Sequence, residues 1–286
     1  MKKIISIILI VILISLALTI SYKVELQKDY FSSINHLLFR FNKNNNYKID
    51  FISLYIKTLK QENYFKEKII PTKLVYSDNN SPTIYIYQTH ANEEYSYNKN
   101  NIYNIVPTVK TASYILSDEL KKLGLNTLVE KENTISILNS RKLPYKDSYK
   151  ISRELMEKRS LENPNLEYFL DIHRDSVKKS ITTTTINDIK YARIMFLLGL
   201  ENKNYLENKE VITKLNDYIN KNYPNLSRGI YEKQGKGVNG IYNQDYHKNV
   251  LLIEVGGYEN TIDEVNNSLK VISDALYNYI QENDKK

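Results

Sequence analysis

Hydrophobic and polar positions divide this chain into three stretches with different periods. Residues 4–20 form an uninterrupted run of apolar or hydroxyl side chains, preceded by Lys2 and Lys3. At 1.5 Å per residue such a run spans roughly 26 Å, enough to cross the core of a bilayer. The paired lysines before it, against the sparser Lys23 and Lys28 after it, orient the amino terminus inside and the remainder outside. A cleaved signal peptide would need an Ala-x-Ala-like site after the run, and none is present. Residues 1–21 are therefore expected to be a retained membrane anchor.

The second stretch, residues 22–80, has helix-period apolar matches over 29–41 and 52–59, separated by Asn42-Lys43-Asn44-Asn45-Asn46. It predicts a partly helical juxtamembrane stalk, with His36 in the first helix. The breaker cluster Asp78-Asn79-Asn80-Ser81-Pro82 ends it and opens the domain over 81–286.

In that domain the period alternates between two and about 3.6. Strands are expected over 84–87, 125–129, 167–172, 191–198 and 250–255, with an excursion or hairpin tip over 182–188. Helices are expected over 108–123, 148–161 and 209–222, with Gly124 closing the first and Pro224 ending the third. Asn260 is expected to cap a long final helix, with Asp263 completing a capping-box-like pair. Alternating strands and helices predict an α/β fold: a doubly wound, mostly parallel twisted sheet with helices on both faces.

Composition narrows the chemistry. The 286 residues include no cysteine, which excludes disulfides, thiolate metal sites and a cysteine nucleophile. The net charge of +7 suits attraction to a membrane surface or an anionic wall polymer, or simply keeps the protein soluble. No basic helix with interleaved aromatics is present, so no nucleic-acid partner is expected.

Of four histidines, two stand at strand exits. His90 follows the strand over 84–87, His173 ends the strand over 167–172, and Glu254 ends the strand over 250–253. Open α/β sheets carry their chemistry outside the carboxyl ends of strands. Zinc in a hydrolase takes three protein ligands from His and carboxylate and leaves a fourth position for water. His90 and His173 would supply two, with Glu93 as the third and Glu94 in reserve. Asp171 or Asp175 could orient an imidazole, and Glu254 is placed to act as general base. His247 or Arg174 could stabilise a developing oxyanion. No His-Glu-x-x-His helix is present. The polar, aromatic loop over 239–247 could line a groove.

Several motifs carry a family resemblance. Thr89-His90-x-x-Glu93-x-Tyr95, Ser148-Tyr149-x-x-Ser152-Arg153 and Asp171-Ile172-His173-Arg174-Asp175-Ser176 come first. Tyr223-Pro224-x-Leu226-Ser227-Arg228-Gly229-Ile230, Tyr242-Asn243-Gln244-Asp245 with His247, and Leu252-Ile253-Glu254-Val255-Gly256-Gly257 follow in order. Together they resemble stage II sporulation protein P. The resemblance implies a zinc N-acetylmuramoyl-L-alanine amidase-like hydrolase, with possible endopeptidase action on stem-peptide crosslinks. It also implies anchoring on the mother-cell side of the sporulation septum and partners in stage II sporulation proteins D and M. His90 and His173 match its essential histidines, Glu93 the glutamate of its first motif and Glu254 the catalytic glutamate of the broader amidase group; the third metal ligand stays open between Glu93 and Glu94. Arg153, Arg228, Tyr242, Asn243 and Gln244 are then expected to bind substrate. Two departures stand out: Gln88 occupies a position often held by His, and residues 98–110 carry no acid to serve as a helix-borne ligand. A membrane-tethered wall-binding scaffold with a degraded metal site is the rival reading.

Overall fold

The computed structural model describes residues 83–96 and 106–283. The expected anchor over 1–21 and the stalk over 22–80 with His36 lie outside the described residues. Among the described residues no helix is long and apolar enough to cross a membrane.

Six strands form the main sheet in the order β2-β1-β3-β8-β6-β7. They are β1 (Thr83–Tyr87), β2 (Asn126–Val129), β3 (Leu166–Asp175), β6 (Ile194–Gly199), β7 (Ser227–Lys233) and β8 (Val250–Gly257). The strands β2, β1, β3 and β8 run parallel; β6 is antiparallel to β8, and β7 is parallel to β6. Because β1, β3 and β8 are covered on both sides, their sequences are continuous apolar runs rather than alternating ones. A separate hairpin pairs β4 (Thr183–Ile186) with β5 (Ile189–Ala192).

On one face, Ile84, Ile86, Leu170, Ile172, Leu251 and Ile253 meet helices α1 (Val109–Lys122), α5 (Tyr205–Asn222) and α6 (Ile262–Asn283). The α1 stripe of Val109, Ala112, Leu116 and Leu120 is fully buried. Each larger member of such a stripe contributes about 1.5–3 kcal/mol by leaving water. On the other face, Tyr85, Tyr87, Phe169 and Val250 pack on Met156 of α3 (Ser148–Glu162). The short helices α2 (Thr134–Ser140) and α4 (Lys179–Thr182) complete the set. Arg159 of α3 donates twice to the buried Glu130 carboxylate beyond β2, which also accepts from the Tyr85 hydroxyl at 2.6 Å. This pairing fixes α3 against the sheet and so fixes what α3 presents at the strand exits.

The alternation of elements matches the sequence pattern, with three local differences. The expected strand over 191–198 is broken at Arg193, which leaves β5 in the hairpin and β6 in the main sheet. Arg193 is the pivot: its guanidinium donates to the carbonyls of Ile181, Asn225 and Ser227, and its own carbonyl accepts from Gly256. The final helix is capped one residue later than expected. Thr261 Oγ1 accepts from the Glu264 N–H, and the Glu264 carboxylate accepts from the Thr261 N–H. Asn260 instead binds the Gly257 N–H and the Thr183 hydroxyl, tying the exit of β8 to the hairpin. That exit requires glycine at 256, where φ is +70° and a Cβ would sit 2.8 Å from the Ala192 Cβ. Third, β7 and α2 fall where no element was expected.

Candidate active site

The site is built at the carboxyl ends of β1, β3 and β8. Beyond β1 the chain continues through Gln88 and Thr89 to His90 and turns back, the Glu93 N–H donating to the His90 carbonyl at 2.9 Å. Tyr95, fully buried in the core, anchors the far side of this turn. Glu94 forms an isolated bridge with Thr108 and is exposed. The turn therefore carries Glu93 inward and Glu94 outward, separating the two candidate ligands.

His90, Glu93 and His173 each offer one ligand atom, and these atoms lie within 4.8 Å of one another. His90 Nδ1 is 3.5 Å from Glu93 Oε1, and His173 Nδ1 is 3.4 Å from Glu93 Oε2. The Arg174 N–H donates to Glu93 Oε2 at 3.0 Å, fixing the carboxylate between the imidazoles. On its other side, His173 Nε2 lies 3.1 Å from Asp171 Oδ1, close but off the hydrogen-bond axis. Asp175 is engaged elsewhere, 2.7 Å from Arg228 Nη1. Asp171 is thus the carboxylate behind the imidazole.

Charge is concentrated here. Burial pushes the Glu93 carboxyl up, but His173, His90 and the Arg174 N–H together hold it well below the usual carboxylate range. Burial likewise pushes the His173 imidazole down, and Asp171 and Glu93 override it, raising it well above its ordinary value. Two imidazole nitrogens and a carboxylate oxygen at this spacing, backed by a further carboxylate, fit a small divalent cation with nitrogen–oxygen preference.

Glu254 faces the same cluster. It is the register partner of His173 on the adjacent parallel strand, so both side chains leave the same face of the sheet. Its Oε2 is buried with no hydrogen-bond partner among the described residues. Burial raises its carboxyl to about 7, lowered by His173 and raised further by Glu93, Asp175 and Asp171. A carboxyl near 7 beside a cation site suits proton transfer at neutral pH.

The other expected site residues divide by position. Arg174 stands beside the site, its Nε donating to the Glu94 carbonyl at 2.9 Å, so its guanidinium clasps the ligand turn. Arg228 lies on the same rim, held by Asp175. Arg153 bonds Asp245 and Glu157 and covers the Tyr246 ring, fastening the 239–249 loop to α3. Tyr242 is buried against Leu197, Leu252 and Tyr149.

Three expectations are corrected. His247 precedes β8 whereas Glu254 lies in its second half, so much of the strand separates them. The His247 ring packs on Phe169, and its Nδ1 accepts from the Asn249 N–H at 3.2 Å. It is not placed to stabilise an oxyanion at the cluster. Gln244 is fully buried, with its amide spent on the Gly199 N–H and the Leu197 carbonyl. Asn243, also buried, donates to the Tyr149 carbonyl and the Ser152 hydroxyl. The Gln244 amide and the Asn243 amino group are thus spent on the scaffold rather than offered to a substrate.

The structure also adds a residue. Tyr145, in the 3-10 turn Tyr145–Asp147 before α3, stacks on His90 with ring centroids 4.8 Å apart and remains 59% exposed. Tyr149, one helical turn on, meets His90 edge-on at 5.7 Å and Tyr242 at 5.5 Å. The only sequence signal for Tyr145 was its place just before the Ser148-Tyr149 motif.

Fold and site together define an α/β protein with a His–Glu–His cluster that could hold a cation and an adjacent glutamate at the strand exits. The family model for stage II sporulation protein P matches residues 30–277, and the chain belongs to that family. It is 34% identical over 199 residues to stage II sporulation protein P of Bacillus subtilis (strain 168), across 68% of this chain and 50% of that protein. The chain thus spans about half the length of that curated relative. Among solved structures, the CwlD amidase of Clostridioides difficile, in complex with the GerS lipoprotein, aligns at a TM-score of 0.44. That alignment has 14% identity and covers 71% of this chain and 98% of that one. Cwp6 from Clostridium difficile aligns at 0.43 with 14% identity, covering 72% and 30%. A metallo-carboxypeptidase from Burkholderia cenocepacia aligns at 0.40 with 8% identity, covering 72% and 58%. Scores below 0.5 are too low to carry weight, and the fold rests on the topology described above.

Proposed function

We propose that this chain is a zinc-dependent peptidoglycan hydrolase that cleaves the N-acetylmuramoyl-L-alanine amide bond during sporulation. The observation carrying the reading is the convergence of His90, Glu93 and His173 with Glu254, in a chain of the stage II sporulation protein P family. Those three residues would hold Zn2+, which would supply Lewis-acid polarisation of the attacking water and of the scissile carbonyl. Glu254, as carboxylate, takes the proton of the attacking water and returns it to the leaving amine. Asp171 holds His173 in orientation from behind. The Arg174 N–H does the same for Glu93. The exposed face of Tyr145 offers a sugar ring an apolar surface beside the cluster.

In this reading the apolar run of residues 4–20 tethers the domain outside the cytoplasm, on the mother-cell side of the septum, and stage II proteins D and M are its partners. A net charge of +7 suits approach to an anionic wall polymer.

The test uses the full chain, zinc-loaded, on isolated peptidoglycan, with products identified by mass spectrometry beside His90→Ala and Glu254→Ala. Intact stem peptides released by wild type and lost in both variants establish the amidase. Cleaved crosslinks alone make it an endopeptidase, and absence of both product and bound zinc makes it a wall-binding scaffold.

A further inference from the structure

Asn243, Ser152 and Thr89 form a line of buried polar groups ending on Asp171, and nothing in the hydrolytic chemistry above uses them. Thr89 and Asp171 are fully enclosed, and Ser152 and Asn243 nearly so. Thr89 holds Asp171 at both oxygens: its N–H donates to Oδ1 at 2.8 Å, and its hydroxyl lies 2.6 Å from Oδ2. Thr89 Oγ1 is also 2.9 Å from Ser152 Oγ. Asn243 Nδ2 lies 2.9 Å from that same Ser152 Oγ and 3.0 Å from the Tyr149 carbonyl.

Counting protons gives this line a direction. Thr89 has one hydroxyl proton, and the carboxylate is both its nearer and its stronger acceptor. The short contact between Thr89 and Ser152 then needs a proton that only Ser152 can give. Ser152 has a competing acceptor, the Tyr149 carbonyl at 3.2 Å. Asn243 resolves the competition, because its two amide protons satisfy that carbonyl and the Ser152 lone pair together. Every hydroxyl and amide proton in the line then has an acceptor, and the protons run toward Asp171. Asp171 Oδ1 faces His173 Nε2, and His173 Nδ1 faces Glu93.

The backbone that delivers Asn243 is itself unusual. Residues 241–244 form a turn closed by the Gln244 N–H on the Ile241 carbonyl, with Tyr242 at φ +54° and Asn243 at φ +58°. Two successive left-handed residues define a type I′ turn, where glycine is the usual occupant of the second position. Asparagine tolerates that conformation, tyrosine poorly. The turn is retained at that cost, and what it puts in place is the Asn243 amide on Ser152.

We infer that Asn243, through Ser152 and Thr89, is a positioning residue for the cation site. The line holds the Asp171 carboxylate at both oxygens against the Nε2 edge of His173, 3.1 Å away, and thereby presents Nδ1 to the cation. The inference rests on the proposed metal site, and it extends that site's control to a loop whose sequence position lies far from every ligand.

The test measures Zn2+ affinity of the full chain by competition with a chromophoric chelator, beside the His173 Nε2 proton observed by 1H–15N NMR. Thr89→Val and Asn243→Ala are expected to weaken Zn2+ binding about tenfold, and to broaden or remove the Nε2 proton signal. Thr89→Ser, which keeps the hydroxyl, should restore both readouts. Thermal melts separate these effects from unfolding, and Ser152→Ala provides a second, smaller truncation in the same line. Wild-type affinity and an unchanged Nε2 signal in Thr89→Val, Ser152→Ala and Asn243→Ala overturn the inference. If wild type binds no Zn2+, the metal reading fails on its own. The imidazole proton of the metal-free protein then decides: its loss in Asn243→Ala supports the positioning line, and its persistence refutes it.

Discussion

The strand exits and the 239–249 loop are both rich in polar and aromatic residues, yet they use them in opposite ways. At the exits of β1, β3 and β8, side chains converge with their chemistry unspent: Glu254 keeps a buried oxygen with no partner among the described residues, and Glu93 faces two imidazoles. In the loop the chemistry is consumed by the scaffold. Gln244 holds the edge of β6, Asn243 holds α3, and His247 holds the approach to β8. Strand direction explains the difference. A residue that follows a parallel strand arrives at the carboxyl end, where side chains meet over open space. A residue that precedes one arrives at the opposite end and must first satisfy the backbone groups of the sheet. Composition is therefore a poor guide to which of two polar segments is the working one.

Substitutions at the two regions should separate by what they change. The largest effect is expected at Glu254. Glu254→Gln should lower hydrolysis by about 10²–10⁴-fold, measured on isolated peptidoglycan. The same change should stabilise the metal-free protein. Glu254 sits at about 7 in the fold against an ordinary 4.5, so the unfolded chain gives up this proton first. Stability should thus fall as pH rises from 4.5 through 7. At pH 8, urea unfolding of Glu254→Gln should show a gain of about 2 kcal/mol. A variant that is both inactive and less stable would remove the case for an unspent carboxylate.

Next in size, Asp171→Asn should weaken Zn2+ binding by about 10–100-fold, read by chelator competition, because the imidazole loses the carboxylate behind it. Gln244→Ala should do the reverse. It strands the Gly199 N–H and the Leu197 carbonyl, costing about 2 kcal/mol in urea unfolding, with Zn2+ affinity held within twofold. A large loss of affinity there would merge the two regions. The smallest change is expected for His247→Ala, which gives up one bond to the Asn249 N–H and a ring contact. Stability should move by less than about 1 kcal/mol and hydrolysis by less than about twofold.

Much of this arrangement can be read without the structure, and the gaps have physical causes. Long periodic helices such as α1 and α6, and strands buried on both faces such as β1, β3 and β8, declare themselves in the hydrophobic pattern. The exits of those strands then pick out His90, His173 and Glu254. The edge strand β7 is hidden because its outer side is open and Gly229 interrupts it at φ +90°. The helix α2 is only seven residues long, too short for a period to show. The break at Arg193 lies inside an apolar run and depends on three carbonyls distant in sequence. The orientation of Glu93 over Glu94 depends on the buried Tyr95 and the bridge to Thr108, neither of which spacing reveals. His247 was legible in principle: its place before β8, rather than after it, already assigns it to the other end of the sheet.

The strand order has one more consequence, and it concerns timing. In space β8 lies between β3 and β6, but it is the last strand of the sheet to be synthesised, and it carries Glu254. A nascent chain that has emerged only through β7 holds two separate sheet fragments, β2-β1-β3 and β6-β7, with no strand to join them. Because chains emerge amino terminus first, the two imidazoles and Glu93 exist for a time beside a gap where the glutamate will come. Closure of the sheet and the arrival of Glu254 beside the other three residues are then a single event.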